Sequence, residues 1–351
     1  MVAFPNPRTR HPFHMYEMIQ AQPDAADEAI RRVRASDFAR AITRGRHLRL
    51  TGCGTSFHAA MYGRMILQSA LGPGRLVESV QAYDVAHATH LSRGATLVAV
   101  SHSGNTPTTN RAAARAKRAG LHVLGVCGLP GSPLEDIVDD VLVIGSTHDR
   151  SWANTMSYTS QLAAFSALAS QIQPSLPGLD RGIRGISKRL RTALSTDRKV
   201  RALARSVARA DRITFLGAAW DEITALEAAL KIRETCGLSA SGYHPEQFLH
   251  GPFLSIERNE PVVALRSREE GTRADVLRRA LTKSGAKVTT VGEHPSASIS
   301  LPAVHPSLRP IVSVVPLQLL AYHAAVERRA NPDIMRTDIP RLRAGVAALF
   351  H

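Results

Sequence analysis

The sequence predicts an α/β protein made of parallel-sheet units, with the scheme stated once and then repeated. Three observations carry this. Short apolar, partly β-branched runs alternate with helical stretches, which is the pattern of βαβ units. Two of those runs break directly into glycine and small hydroxyl residues ahead of a helix. The second half then restates the first: Ile213-Thr214-Phe215-Leu216-Gly217 matches Leu48-Arg49-Leu50-Thr51-Gly52 in position and pattern, and a long helix follows each.

Residues 1–29 read as an N-terminal arm. Met15, Met18 and Ile19 fall on one face at helical spacing, so a short amphipathic helix is expected, with Pro23 stopping it. Pro5, Pro7 and several charges occupy the place of an apolar signal core, and no run approaches the roughly 18 apolar residues of a membrane span. No membrane partner is expected. Residues 30–173 form the first unit, with strands at 47–51, 96–101, 121–127 and 139–144, and helices at 56–70, 107–119, 132–138 and 152–172. Pro174, Pro177, Gly178, Gly182 and Gly185 mark 174–198 as a linker. The second unit spans 199–330, with strands at 213–217, 261–266, 287–292 and 297–301 and helices at 221–236 and 311–328. Residues 331–351 form a tail.

The chemistry centres on two strand ends. Thr96–Val100 runs into Ser101, His102, Ser103, Gly104, Asn105 and Thr106 before a helix; Leu48–Leu50 runs into Thr51-Gly52-Cys53-Gly54-Thr55-Ser56. Free N–H groups, the positive end of a helix dipole and hydroxyl donors make such a junction an anion site. Helix capping is the commoner use of Ser and Thr. Two hydroxyl loops at strand ends in one open sheet shift the balance to a shared phosphate pocket. The loops lack the third glycine of a dinucleotide fingerprint and the Gly-Lys-Ser/Thr of a P-loop. In the second half Ala218, Ala219 and Trp220 replace the hydroxyls, so that copy of the device is eroded.

A net charge of +15 accompanies only six lysines, with arginines spread along the chain and few aromatics. That distribution lacks an aromatic-interleaved basic patch, so no nucleic-acid partner is expected; the positive field suits an anionic small substrate. Cys53, Cys127 and Cys236 are few and scattered, which fits reduced thiols in a cytoplasmic protein. Glu227, Lys231 and Glu234 lie at i, i+4, i+7 on one stripe of an otherwise apolar helix, a pattern equally open to a solvated ion-pair face and to a site. His250 precedes Gly251-Pro252 and should sit on a bend that fixes its imidazole. No set of His, Cys and carboxylates has ligand spacing, so no metal and no cofactor are expected.

These residues resemble a family. Gly52–Ser56 and the Ser-x-Ser-Gly-x-Thr of 101–106 are similar to the loops of sugar isomerase (SIS) domains. Ala225–Glu234 together with His250-Gly251-Pro252 resembles the second SIS domain of glucosamine-6-phosphate synthase and its relatives: SIS-type glucosamine-6-phosphate deaminases, galactosamine-6-phosphate deaminase/isomerases and fructosamine-6-phosphate deglycases. The resemblance covers residues 11–345. It implies two tandem SIS domains, each flavodoxin-like with a parallel sheet in three layers. It also implies that Thr55, Ser56, Ser101, His102, Ser103 and Thr106 hold a sugar phosphate; Gly54 is expected in the pocket, and Trp152, Asn154 and Met156, which depart from the family segment, are expected to line it and to admit a substrate unlike the family's usual ones. Glu234 would move a proton between C1 and C2 with Lys231 in the same site, and His250 would assist ring opening from the neighbouring subunit of a homodimer. The implied activity is on an amino sugar 6-phosphate, deaminating as in glucosamine-6-phosphate deaminase, with fructosamine-6-phosphate deglycase or galactosamine-6-phosphate deaminase/isomerase activity as the alternative, and a non-catalytic sugar-phosphate-binding SIS regulator as the alternative of another class.

The chain also departs from the synthase pattern. The synthase's glutaminase segment, with its N-terminal cysteine nucleophile, is not expected ahead of the arm. Trp152-Ala153-Asn154-Thr155-Met156 replaces Val-Ala-Ser-Thr-Lys, and His102 replaces a glutamine. Pro340-Arg341-Leu342-Arg343 replaces a lysine-bearing tail. Arginine forms no Schiff base at ordinary pH, so a tail-lysine mechanism is not expected.

Overall fold

The computed structural model describes residues 8–268 and 271–349. The chain divides into two compact units, each built on one five-stranded sheet. The first-sheet unit holds Gln22–His148 and Met156–Ser187; the second-sheet unit takes the chain up to Ala21, Asp149–Thr155 and the chain from Lys188.

Helices α1 (His14–Arg34) and α2 (Phe38–Ile42) lead into β1 (His47–Gly52), α3 (Thr55–Leu71), β2 (Leu76–Gln81), α4 (Ala82–His87), β3 (Thr96–Ser101), α5 (Pro107–Arg118), β4 (His122–Cys127) and β5 (Asp140–Val143). After β5 come α6 (Met156–Ile172) and α7 (Leu179–Arg184). All pairings are parallel and the order is β2-β1-β3-β4-β5. This is the flavodoxin-like order, and it reverses between β1 and β3. Every residue of β3 is buried, as a central parallel strand covered on both faces requires. Alanines of α5 (Ala112, Ala113, Ala116) pack one face of the sheet with Leu97, Ala99 and Val123.

The rest of the chain runs α8 (Ile186–Leu194), α9 (Asp197–Val207), β6 (Arg212–Leu216), α10 (Asp221–Cys236), β7 (Ser239–Tyr243), α11 (Pro245–Leu249), β8 (Pro261–Arg266), α12 (Thr272–Lys283), β9 (Lys287–Gly292), β10 (Ile299–Ser300), α13 (Arg309–Glu327) and α14 (Pro340–Leu349). The second sheet repeats the first, in the order β10-β9-β8-β6-β7, all parallel, with its reversal between β6 and β8. The expected pseudo-repeat of two parallel-sheet units is present. The stretch Pro306–Glu327 is long and apolar enough to cross a membrane, but 89% of its most apolar window is buried within the protein, as in a core helix.

Several elements differ from expectation. Pro23 does not stop the arm: α1 continues through it to Arg34. Met15, Met18, Ile19, Gln22, Ala26, Ala29, Ile30 and Val33 are all buried at helical spacing, and that burial outweighs the roughly 3 kcal/mol cost of an internal proline. Strands β2 and β7 carry weak apolar patterns because each lies at a sheet edge, paired on one side only. The expected helix at 132–138 is a series of turns. There Glu135 accepts from the Ser132 N–H and hydroxyl, a local alternative to helical hydrogen bonds. Residues 152–155 lie outside α6, because the Asp149 carboxylate accepts from the Thr155 N–H at 2.8 Å and Asn154 has φ 40°. The segment 174–198, expected as a linker, is largely helical: Leu179, Ile183, Ile186, Leu190 and Ala193 bury one stripe of α7 and α8.

Candidate functional site

In the first-sheet unit, β1 and β3 are neighbours, so the loops that follow them leave the same edge of the sheet at its point of reversal. After β1 the chain must turn at once into α3. A Cβ on Gly52 would lie 2.9 Å from backbone atoms of Ser56 and Val100, so only glycine fits. Gly54 takes φ 54° as the residue before α3, and Thr55 and Ser56 open the helix. After β3 a second tight turn has Gly104 at φ 63°, where Ser132 also leaves no room for a side chain.

The five hydroxyls are held differently. Ser101 is buried; its Oγ accepts from the Gly104 N–H at 3.1 Å and lies 3.3 Å from Thr106 Oγ1. Thr106 is the residue before α5, with Pro107 at its first position. Ser103 is exposed and accepts from the Asn105 N–H at 3.2 Å. Thr55 is buried, and the Ser56 hydroxyl accepts from Gln161 Nε2 at 3.4 Å. Gln161 was missed by sequence reasoning, although an amide in the middle of so apolar a helix as α6 is a signal. The His102 ring packs against Gly128, whose N–H donates to the His102 carbonyl at 2.8 Å, and meets His148 edge-on at 5.5 Å between centroids. The starts of α3 and α5 thus place N–H groups and hydroxyls at one sheet edge, an arrangement suited to a phosphate dianion.

In the second-sheet unit, α10 carries the charged stripe. The Lys231 side chain is fully buried, with Nζ 3.3 Å from Glu227 Oε1 and 2.6 Å from Glu234 Oε2. Glu227 is equally buried, whereas Glu234 keeps 15% of its side chain exposed. The solvated-face alternative is therefore excluded. Burial pulls the Lys231 ammonium down, but the two carboxylates outweigh it and leave its pKa above the ordinary lysine value. One buried cation thus holds two carboxylates, one sealed in and one facing outward.

Sequence reasoning also missed the anchor of this helix. Asp221, in its first turn, is buried against Arg309 Nε at 3.0 Å and accepts from the Ser313 hydroxyl at 2.9 Å. His250 stands on the expected bend: it ends α11, and Gly251 follows with φ 136°. Its imidazole is exposed, so the bend presents it outward. Trp152 and Asn154 belong to the second-sheet unit, on the turn organised by Asp149, and the Trp152 N–H donates to the Asp333 carbonyl at 3.2 Å. Among the described residues no group of three or more His, Cys, Asp or Glu is placed to hold a metal.

The molecule thus carries two flavodoxin-like sheets in tandem, with hydroxyl-bearing helix starts on one and a buried carboxylate–lysine stripe on the other. The SIS domain family matches twice, over residues 41–171 and 206–328, and the chain belongs to this family of sugar-phosphate isomerases. A glutamine–fructose-6-phosphate aminotransferase (isomerizing) of Pyrococcus horikoshii is 31% identical over 335 residues, covering 91% of this chain and 56% of the relative. The Bacillus subtilis enzyme of the same name is 30% identical over 311 residues, covering 85% and 51%. The chain thus spans little more than half the length of these curated relatives. Among solved structures, the C-terminal domain of glucosamine-fructose-6-phosphate aminotransferase from Francisella tularensis superposes with TM-score 0.84 at 22% identity, covering 94% of this chain and 100% of that one. Glucosamine-6-phosphate deaminase from Thermotoga maritima gives 0.76 at 22% identity, covering 91% and 96%. At such identities these two likenesses concern the fold.

Proposed function

We propose that this chain is an enzyme that deaminates an amino sugar 6-phosphate, most similar in chemistry to glucosamine-6-phosphate deaminase. The hydroxyls of Thr55, Ser56, Ser101, Ser103 and Thr106, together with His102, take the phosphate, and Gly54 keeps the approach open. Glu234 takes the proton from C2 of the open-chain aldose and returns it to C1. O1 takes up a proton as the C2 amine gives one up to become an imine, water adds at C2, and ammonia leaves with a ketose phosphate as the other product. Lys231 holds the Glu234 carboxylate in place, and Trp152 and Asn154 line the sugar pocket. His250 acts from the second subunit of a homodimer, where it assists ring opening.

The observation that carries this reading is the Lys231–Glu234 contact of 2.6 Å, with the lysine buried and the carboxylate facing out. Moving a proton between adjacent carbons needs one such fixed base, and positioned bases typically contribute about 10²–10⁴-fold. The test is ammonia release from glucosamine 6-phosphate, galactosamine 6-phosphate and a fructosamine 6-phosphate, with Glu234→Gln alongside. One of these should turn over, and Glu234→Gln should lose about 10³-fold while still binding substrate. Full turnover by Glu234→Gln would remove the mechanism.

A further inference from the structure

The second sheet has its own point of reversal, between β6 and β8. Open α/β sheets bind ligands in the crevice beyond the strand ends at such a point. Ala218, Ala219 and Trp220 stand there in place of hydroxyls, yet the place is not filled in. The structure holds a cavity of about 160 Å³, walled by the ends of β6 and β8 and by α11 and α12. Leu216, Leu249, Leu277 and Leu281 form its apolar wall. Arg266, Arg273 and Arg278 stand around it.

We propose that this cavity is a second small-molecule site, for an amphipathic anion: a ring-sized or branched apolar body on the leucines, and a single carboxylate or phosphate among the arginines. Size sets the body. A dry cavity of roughly 150 Å³ lined by aliphatic side chains accommodates benzene. Charge sets the head group. Arg273 makes a two-pronged contact with Glu246, at 2.7 and 3.0 Å, and Arg266 Nη1 lies 2.9 Å from Asp275, with Arg278 3.9 Å from the same carboxylate. Among the described residues that line the cavity, three guanidinium groups stand with one carboxylate, that of Glu246. Glu246 engages two of the five N–H donors of Arg273. Gly271, Arg273 and Ala274 bring the start of α12, the positive end of its dipole, to the same wall. A sugar phosphate suits this place poorly, because the leucine side of the lining would face sugar hydroxyls without hydrogen-bond partners.

The test is independent of any activity: calorimetric titration of the full chain with phenyl phosphate, benzoate and fructose 6-phosphate. Ala274→Phe fills the cavity from α12, and the double variant Arg273→Gln/Arg278→Gln removes two rim charges; circular dichroism checks that each is folded. Phenyl phosphate or benzoate should bind once per chain, and the tighter of the two identifies the head group. Ala274→Phe should abolish that binding, and the arginine variant should weaken it about tenfold. The cradle variant Ser101→Ala/Thr106→Val should leave it unchanged, which separates this site from the phosphate cradle. Failure of both aromatic anions to saturate, or binding that survives in Ala274→Phe, would overturn the proposal, whatever fructose 6-phosphate does at the cradle.

Discussion

Replacing Lys231 by methionine tests how the charged stripe of α10 is held. Methionine keeps the length of the side chain and removes the ammonium. Glu227 is fully buried, so it would lose the cation 3.3 Å away with no bulk solvent to replace it; Glu234 reaches solvent and would be partly relieved. Breaking a buried pair from one side costs about 3–5 kcal/mol. Lys231→Met should therefore lose about that much in urea denaturation at pH 7, while Glu227→Gln/Lys231→Met should recover most of it, since the pair is then replaced as a unit. The pH dependence provides a second reading. The folded-state pKa of Lys231 is raised, so its stabilising effect is complete below the unfolded value of about 10.4 and is lost as pH climbs through the folded one. The parent should thus lose stability in alkali more steeply than Lys231→Met. Tyrosines held high by burial, such as Tyr16 and Tyr322 at about 12, add a slope common to both proteins that cancels in the difference. A Lys231→Met protein within about 1 kcal/mol of the parent at pH 7 would refute this account of the stripe.

The arm and the cradle give two further tests. The Asp333 carboxylate accepts from the N–H groups of His14 and Met15, capping the first turn of α1, so Asp333→Ala should cost about 2–4 kcal/mol, read as a lowered thermal midpoint. Burial raises the Asp333 pKa despite those bonds, so its contribution is complete below about pH 3.9 and declines as pH rises through the folded value; Asp333→Asn should cost less than alanine and flatten that slope. Gly52→Ala places a methyl group 2.9 Å from backbone of Ser56 and Val100, so it should cost about 1–3 kcal/mol and weaken phosphate binding measured by calorimetry, because Ser56 must move.

What was legible in the sequence follows from burial. Strands β3, β4 and β8 lie in sheet interiors and read as unbroken apolar runs, so they were placed to within a residue or two. The edge strands β2 and β7 pair on one side only, and Leu-Val-Glu-Ser-Val-Gln carries little apolar signal. The proline in α1 misled because propensity is local while the burial that outweighs it is not. The stripe of α10 was visible from spacing alone, but whether it faces solvent was not: i, i+4 ion pairs look the same on a wet surface and in a core. Only the helix packed alongside decides, and α13 contributes Arg309 and Ser313 to anchor the start of α10 from 88 and 92 residues away. Asp149 was illegible for a related reason, since its work is done on the N–H of Thr155 rather than by any motif.

The two points of reversal show how one fold position diverges. At the first, Gly52 and Gly104 bring backbone close enough for small hydroxyls to gather at one edge, and bulkier residues would close it. At the second, Arg266 ends β8 in the place where Ser101 ends β3. A serine there adds one weak donor to a cradle of N–H groups. An arginine adds a charge that must be matched, and Asp275 in the first turn of α12 matches it at 2.9 Å. Arg266 also lines the cavity beside Leu216, Leu277 and Leu281, where the first unit gathers hydroxyls. The equivalent edges of the two sheets thus carry a polar cradle in one unit and an apolar cavity with a charged rim in the other, so the erosion of the hydroxyl motif marks a change of ligand chemistry rather than its loss.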